Sequence, residues 1–438
     1  MSEAIKLFIE DARAVSIEET AKILGLKFSG KRHEHAQPCP NCGGTDTFAF
    51  NTAKEKWNCR AGGIGGNDGI GMAAHCADLD VRRRDGFLEA CSIVLDRDIP
   101  DEGERESDED RAARLQRLEQ RRLQNEADAT ARSDSQADFR EKERAKARGI
   151  IKASIVLCSV AAPPQGRHYL RHRCNGFPDA SWLRVGANVP YWHGQDERGG
   201  PLELFSGPAM VASFIGPGLV EIGCHITWIN LNEPPKFRPK LFGLTRDGIA
   251  AGLVEWAFGD APPPDVDVAD GLYEPLPAKK MRGSKKGGLI PIAGHPEARR
   301  WVGGEGIENG VAFGIWEGWR QDTFYFAAGD LGNLTGPAEP SSRFAHPMLK
   351  KPDAKGVARA VMVQGPVPKR DQGVEDAMWV ADHVAELVLL ADGDSEPVMT
   401  AAAMARARKR HARPGRLIPI VWPRAGYDFS RMAVEAGE

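Results

Sequence analysis

The sequence predicts a multi-domain α/β protein. It divides into a small cysteine-turn module, a charged helical or disordered linker, an α+β middle region and an open parallel sheet with flanking helices. Three observations predict this. Cys39-Pro-Asn-Cys42 sits on a glycine-closed turn and is soon followed by Cys59. Asp98 to Ala147 is dominated by Asp, Glu, Arg, Lys, Gln and Ala, with almost no aromatic side chain. In the C-terminal part, short apolar runs end abruptly on acids and alternate with helix-like stretches, the pattern of strands joined by crossover helices.

With 438 residues the chain has room for roughly two to four domains. The net charge of −3 excludes a wholly basic nucleic-acid coat, so any nucleic-acid surface must be a local patch. No apolar run is long enough to span a membrane, and Met1-Ser-Glu-Ala lacks the basic-then-apolar signal of secretion, so a cytoplasmic protein without membrane contact is expected. Eight cysteines in so long a chain do not suggest a disulfide scaffold. Cys91, Cys158, Cys174 and Cys224 read as small apolar packing groups.

Residues 1–96 form the first expected region. Ser16 and Glu19 have capping-box spacing ahead of Ala21-Lys-Ile-Leu-Gly, predicting one or two small helices. Thr47 to Asn51 and Glu55 to Asn58 read as a hairpin that returns Cys59 to Cys39 and Cys42. Structural zinc needs four Cys or His ligands in a tetrahedron. The usual fourth position, 62, is Gly, so His35 is expected to complete the site, with His33 as the alternative. His75 and Cys76 rank behind them because a helix is expected to separate them from the turn. Zinc contributes about 10–16 kcal/mol in model finger peptides, enough to fold so small a module. The pattern Pro-Cys-Pro-x-Cys-Gly-Gly-x-Asp-x-Phe from Pro38, then Trp57-x-Cys59 and Asp68-Gly69-Ile70, resembles the zinc ribbon of phage-type primases over about residues 17–80. The resemblance implies a module that contacts the template and helps choose where synthesis begins.

Residues 97–149 read as a linker. An acidic block from Asp101 to Asp110 precedes mixed charge through Arg148, and Leu115, Leu118 and Leu123 offer only a thin apolar stripe. So few apolar positions favour a solvated helix or disordered tether over a coiled coil. Its function would be reach.

Residues 150–297 carry short alternating apolar segments that suggest a sheet. Lys279, Lys280, Arg282, Lys285 and Lys286 lie among glycines, where cations and bare backbone can approach phosphates; the alternative is a solvent-exposed loop balancing the acidic insertion at 260–274. His225, inside an apolar segment, reads as a core histidine. The order of these elements, with His225-x-Thr227 before Lys279-Lys-x-x-Gly283, resembles the region that precedes the catalytic module in phage and plasmid primase-like proteins.

Residues 298–438 are the most informative. Leu387-Val-Leu-Leu-Ala-Asp392-Gly-Asp394 is an apolar run ending in two carboxylates. Alternate strand residues share a face, so both could reach one ion at the carboxyl end of a strand, where open α/β sheets bind ligands. Ala401 to His411 reads as a helix, and the following run from Gly415 to Trp422 closes in Pro423-Arg-Ala-Gly-Tyr-Asp428-Phe429. Upstream, the run from Arg300 ends at Glu305. The bland alternative makes Asp392-Gly393-Asp394 a turn capping the next helix.

Glu305-Gly-Ile-Glu308, then Asp392-Gly-Asp394, then Gly426-x-Asp428-Phe429 resembles a Toprim domain, the Rossmann-like catalytic module of bacterial and phage DNA primases and of topoisomerases. The resemblance covers about residues 298–436. It implies that Asp392 and Asp394 hold Mg²⁺ or Mn²⁺, that Glu305 is a general base or further ligand, and that Asp428 supports the metal or the triphosphate. The expected function is a DNA primase joining nucleoside triphosphates into short RNA primers on single-stranded DNA. No Gly-x4-Gly-Lys-Ser/Thr motif is present, so a separate replicative helicase is expected as partner. The rival readings are a Toprim nuclease and a DNA-binding replication protein with a decayed site.

Overall fold

The computed structural model describes residues 2–28, 33–101, 108–195, 199–253, 271–352 and 357–437, with backbone alone for most of 108–133. Most of the acidic block at 101–110 and of the acidic insertion at 260–274 lies outside the described residues. The chain forms two units, Met1–Asp134 and Ser135–Glu438.

The first unit opens with α1 (Glu3–Arg13) and α2 (Ile17–Ile23). The expected capping box forms: Ser16 Oγ accepts from the Glu19 N–H, and the Glu19 carboxylate accepts from the Ser16 N–H. An antiparallel sheet follows, ordered β1 (Glu34–Cys39), β2 (Gly43–Asn51), β3 (Lys56–Cys59), β4 (Ile64–Gly66). Then come α3 (Gly69–Cys76), capped by Asp68, and α4 (Arg84–Leu95). Phe48, Phe50 and Trp57 of the sheet share a core with Met72 of α3, which folds the helix back onto the strands. Cys91 is fully buried among Phe8, Ile70 and Val94, as a small apolar group.

Helix α5 (Asp108–Ala153) runs through the expected linker and beyond it. Residues 134–142 are solvent-exposed, but Ala147 and Ile151 are buried against Tyr191, Val211 and Trp228. The border expected after residue 149 therefore falls inside a helix whose last turns belong to the core of the second unit.

The second unit continues through β5 (Ile155–Val156), α6 (Pro164–Cys174), β6 (Arg184–Gln195), β7 (Pro201–Ile215), β8 (Glu221–Trp228), β9 (Leu241–Leu244), α7 (Arg246–Ala250), β10 (Tyr273–Leu276) and β11 (Lys279–Gly283). Strands β11, β8, β7, β6 and β5, in that order, make an antiparallel sheet. After it come β12 (Ile290–Ala293), β13 (Arg300–Gly304), α8 (Ile307–Trp316), β14 (Thr323–Ala327), α9 (Leu331–Thr335), the hairpin β15 (Phe344–Pro352) and β16 (Ala358–Val363), β17 (Glu386–Leu390), α10 (Pro397–Arg410), β18 (Ile420–Val421) and α11 (Phe429–Gly437).

The second sheet has the order β12-β14-β13-β17-β18. Its last four strands are parallel and β12 is antiparallel. Both faces are covered, which is why the strands read as continuous apolar runs. Val302, Tyr325, Val388 and Leu390 face one core with Val311 and Phe313 of α8. Trp301, Phe324, Phe326, Leu387 and Leu389 face the other with Met404 and Ala407 of α10. Each such large side chain contributes roughly 1.5–3 kcal/mol on burial. The crossover through α8 thus lies on one face and that through α10 on the other, so the chain's direction of travel reverses between β13 and β17. A crevice opens at the carboxyl ends of strands at such a switch point.

Candidate metal centres

In the first unit, Cys39 at the end of β1, Cys42 in the next turn and Cys59 at the end of β3 meet His75 on α3, with all four ligand atoms within 4.8 Å of one another. His75 Nε2 lies 3.3 Å from Cys39 Sγ and 3.7 Å from Cys42 Sγ. The N–H groups of Cys42 and Gly62 donate to the sulfurs of Cys39 and Cys59, each at 3.3 Å. A Cβ at Gly62 would lie 3.0 Å from the His75 ring and 3.3 Å from Cys42 Sγ. Gly62 therefore leaves the fourth corner clear for an imidazole arriving from elsewhere. The ring is stacked beside Trp57 and Phe48, at 5.4 and 6.3 Å. Burial and the thiols of Cys59 and Cys39 push Cys42 up to about 11. A shared cation relieves such crowding, and three thiolates with one imidazole are a known structural zinc set.

The expected fourth ligand, His35, is corrected. It shares a strand face with Cys39 but lies four residues away, roughly 13 Å at about 3.3 Å per residue. It is buried between Phe28 and Phe50, with ring centroids 5.0 and 4.9 Å away. His33 is also outside the cluster; its carbonyl accepts from the Thr52 N–H at 2.9 Å. The helix expected to keep His75 away is the element that delivers it.

In the second unit, Glu305 follows β13 and Asp392 follows β17, one residue beyond Ala391. Gly304 pairs with Leu390, so the two acids leave the sheet side by side. Burial raises the Glu305 carboxyl, and the charges of Asp392 and Asp330 raise it further. Contact with the Asp392 carboxylate, then burial, raises Asp394. Asp392 Oδ2 accepts from Ser395 Oγ at 2.9 Å, while its buried Oδ1 has no hydrogen-bond partner among the described residues. Gly393 is required between the acids because a Cβ there would lie 2.6 Å from the Tyr427 carbonyl. Its own carbonyl accepts from the Gly426 N–H at 2.9 Å, which clasps the acid turn to the 423–428 loop. These touching oxygen donors, one of them orphaned, suit a hard divalent cation. Among the described residues only the sulfur cluster brings three donors within 4.8 Å, so the acids do not close a coordination sphere alone.

Asp428 immediately precedes α11. Its carboxylate accepts from the Arg431 N–H at 2.6 Å and from Ser430 Oγ at 2.9 Å, capping α11. Asn309 Oδ1 accepts from the Ser430 N–H, tying that helix to α8. Asp330 was not anticipated. It ends the apolar run of β14, accepts from the Asn333 N–H at 2.8 Å and pairs with Lys285. An apolar run ending on an acid, the signal that marked Glu305 and Asp392, was present there too.

The basic segment 279–286 does not form one patch, because its first half is strand β11 and alternate residues face opposite ways. Lys279 points toward the acids and is bound to buried Glu308, at 2.9 and 3.2 Å. Arg238 Nη2 and the Tyr169 hydroxyl donate to the same carboxylate, at 2.8 and 2.7 Å. Burial raises the Glu308 carboxyl, but Lys279 and Arg238 win and hold it well below the usual range. Lys280 and Arg282 pair with Ile226 and Cys224, residues of the core under α5. Lys285 is engaged by Asp330 and Lys286 is exposed. His225 on β8 is pushed down to about 4 by burial and Lys279, the state of a neutral interior histidine.

No family model and no curated protein matches the sequence. Among solved structures, the chain is similar to the zinc-binding and RNA polymerase domains of the Aquifex aeolicus primase, at 14% identity and a TM-score of 0.29, covering 100% of this chain and 83% of that one.

Proposed function

We propose that the protein is a DNA primase whose C-terminal sheet is a Toprim module and whose N-terminal unit is a primase-type zinc ribbon. The observation that carries this reading is the contact between Asp392 and Asp394 beside Glu305, at the carboxyl ends of β13 and β17. Asp392 and Asp394 would hold Mg²⁺ or Mn²⁺, with substrate phosphates and water supplying the remaining ligands. The bound metal would neutralise charge developing as a 3′-hydroxyl attacks an α-phosphate. Glu305, raised by burial and by Asp392, is tuned to accept the hydroxyl's proton. Asp428 supports the site through the cap of α11, which holds the loop against Gly393. Lys279 and Lys285 contribute positive charge beside the acids rather than free phosphate hooks.

In this reading residues 1–96 contact the single-stranded template, 97–149 give reach, and 150–297 with 298–438 hold the nucleoside triphosphates. A replicative helicase is a separate cytoplasmic partner. A Toprim nuclease would use the same acids; a Cys3His cluster fits a template-reading ribbon better. The test is de novo synthesis on single-stranded DNA with Mg²⁺ and all four ribonucleotides. Wild type should make short products, and Asp392→Ala/Asp394→Ala should lose them by at least about a thousandfold, the scale expected when charge stabilisation is removed. Shortened template without a new strand would instead establish the nuclease.

A further inference from the structure

The antiparallel sheet has a second side that the acid site does not use. A cavity of about 680 Å³ lies between the last turns of α5 and the face of β6, β8 and β11. That is the size of a small-molecule site. Lys146, Lys280 and Arg282 line it together with Ile150 and Ile226, and no carboxylate lines it among the described residues. Lys146 and Arg282 share one nearby acid, Glu143, at 2.7 and 3.7 Å, so three cations stand against one carboxylate. Lys280 is fixed in place: its Nζ lies 3.6 Å from the centroid of the Tyr191 ring and donates to the Trp192 carbonyl at 2.5 Å. Burial, then Arg282, pushes this amine down to about 8, the signature of cations crowded at a partly dry wall.

Gly149 adds an independent observation. It lies in α5 and lines the cavity, and a Cβ at this position would meet nothing within 4 Å. Glycine inside a helix costs about 1 kcal/mol relative to alanine, and here no packing demands it. What it provides is bare helix backbone open to the cavity, where a ligand can approach closely.

We propose that this cavity binds a nucleotide, its phosphate on Lys280, Arg282 and Lys146 and its base against Ile150 and Ile226. A bare anion would leave the apolar wall unused, and an apolar ligand would leave the excess of positive charge over Glu143 unanswered. The same chemistry could come from a free nucleotide or from one unit of a single strand. The site does not rest on the primase reading, because Lys280 and Arg282 face away from the side of β11 on which Lys279 meets Glu308.

The test is titration calorimetry on the whole 438-residue chain, loaded with zinc and without added divalent cation, using ATP and, separately, a short oligothymidylate. Wild type should bind ATP, and Lys280→Met/Arg282→Met should weaken binding at least tenfold. Gly149→Leu, which fills open space and favours the helix, should weaken it as strongly without lowering the melting temperature. Asp392→Asn/Asp394→Asn should bind like wild type. Binding of the oligothymidylate alone, with the same sensitivity to the cavity variants, would assign the site to a strand. Binding of neither probe, binding indifferent to the cavity variants, or binding lost only with the acids would overturn the proposal.

Discussion

In the first unit, four donors from two strands, a turn and a helix converge within 4.8 Å. In the second, Asp392 and Asp394 after β17 touch beside Glu305 after β13, one buried oxygen has no partner among the described residues, and the carboxyls of Glu305 and Asp394 are raised. The protein completes the sulfur site by itself, as a structural ion requires. The oxygen site brings fewer donors together, which in the proposed reading leaves room on a hard cation for substrate oxygens. In the proposed reading the first site holds a fold and the second takes a ligand.

The largest effect should come from His75. His75→Ala should abolish stoichiometric zinc and unfold the ribbon, whereas His35→Ala should keep its zinc; elemental analysis of the two purified variants checks this. Retained zinc in His75→Ala would return the fourth corner to another residue. Next is Glu308→Ala, which strands Lys279 and Arg238 beside the acid site. Breaking such a buried pair costs about 3–5 kcal/mol, read as a lowered denaturation midpoint of the second unit. A midpoint equal to wild type would show that the network is not under tension.

A smaller effect separates the units by pH. Burial pushes His411 down to about 4. This folded-state value lies below the unfolded one near 6.5, so folding favours the neutral ring. The resulting stability is complete above about pH 6.5 and is lost as pH falls toward 4, by up to about 3 kcal/mol at 1.36 kcal/mol per unit. His225 adds loss of the same sign. Urea unfolding at pH 7 and pH 5 should show the loss in wild type and a smaller one in His411→Gln; equal losses would contradict the assignment.

The sequence made some of this legible and hid the rest for physical reasons. Glu305, Asp392 and Asp394 could be read because an apolar run that stops on a carboxylate is a local signal. Cys39, Cys42 and Cys59 could be read because a knuckle and a hairpin are local too. His75 could not, because its approach depends on α3 folding back through Met72 onto the ribbon core. Gly62 was the clue: a glycine where a ligand is usual leaves a corner to be filled by the tertiary fold. The basic segment misled for the same reason in reverse. Lys279 and Lys280 are neighbours in sequence, but strand pleating sends one to Glu308 and the other to the cavity under α5. Glu308 gave no sign of its three partners, since Tyr169, Arg238 and Lys279 come from separate elements.

The contrast between the two sites is tested most directly by measuring initiation and elongation separately. One arm supplies bare single-stranded DNA and the other a template carrying a preformed RNA primer, each with Mg²⁺ and ribonucleotides. The account predicts that Asp392→Ala/Asp394→Ala loses both activities and that Cys39→Ser loses initiation while still elongating the primer. Elongation retained by the acid variant would contradict it, because the carboxylates would then not be the centre of the chemistry.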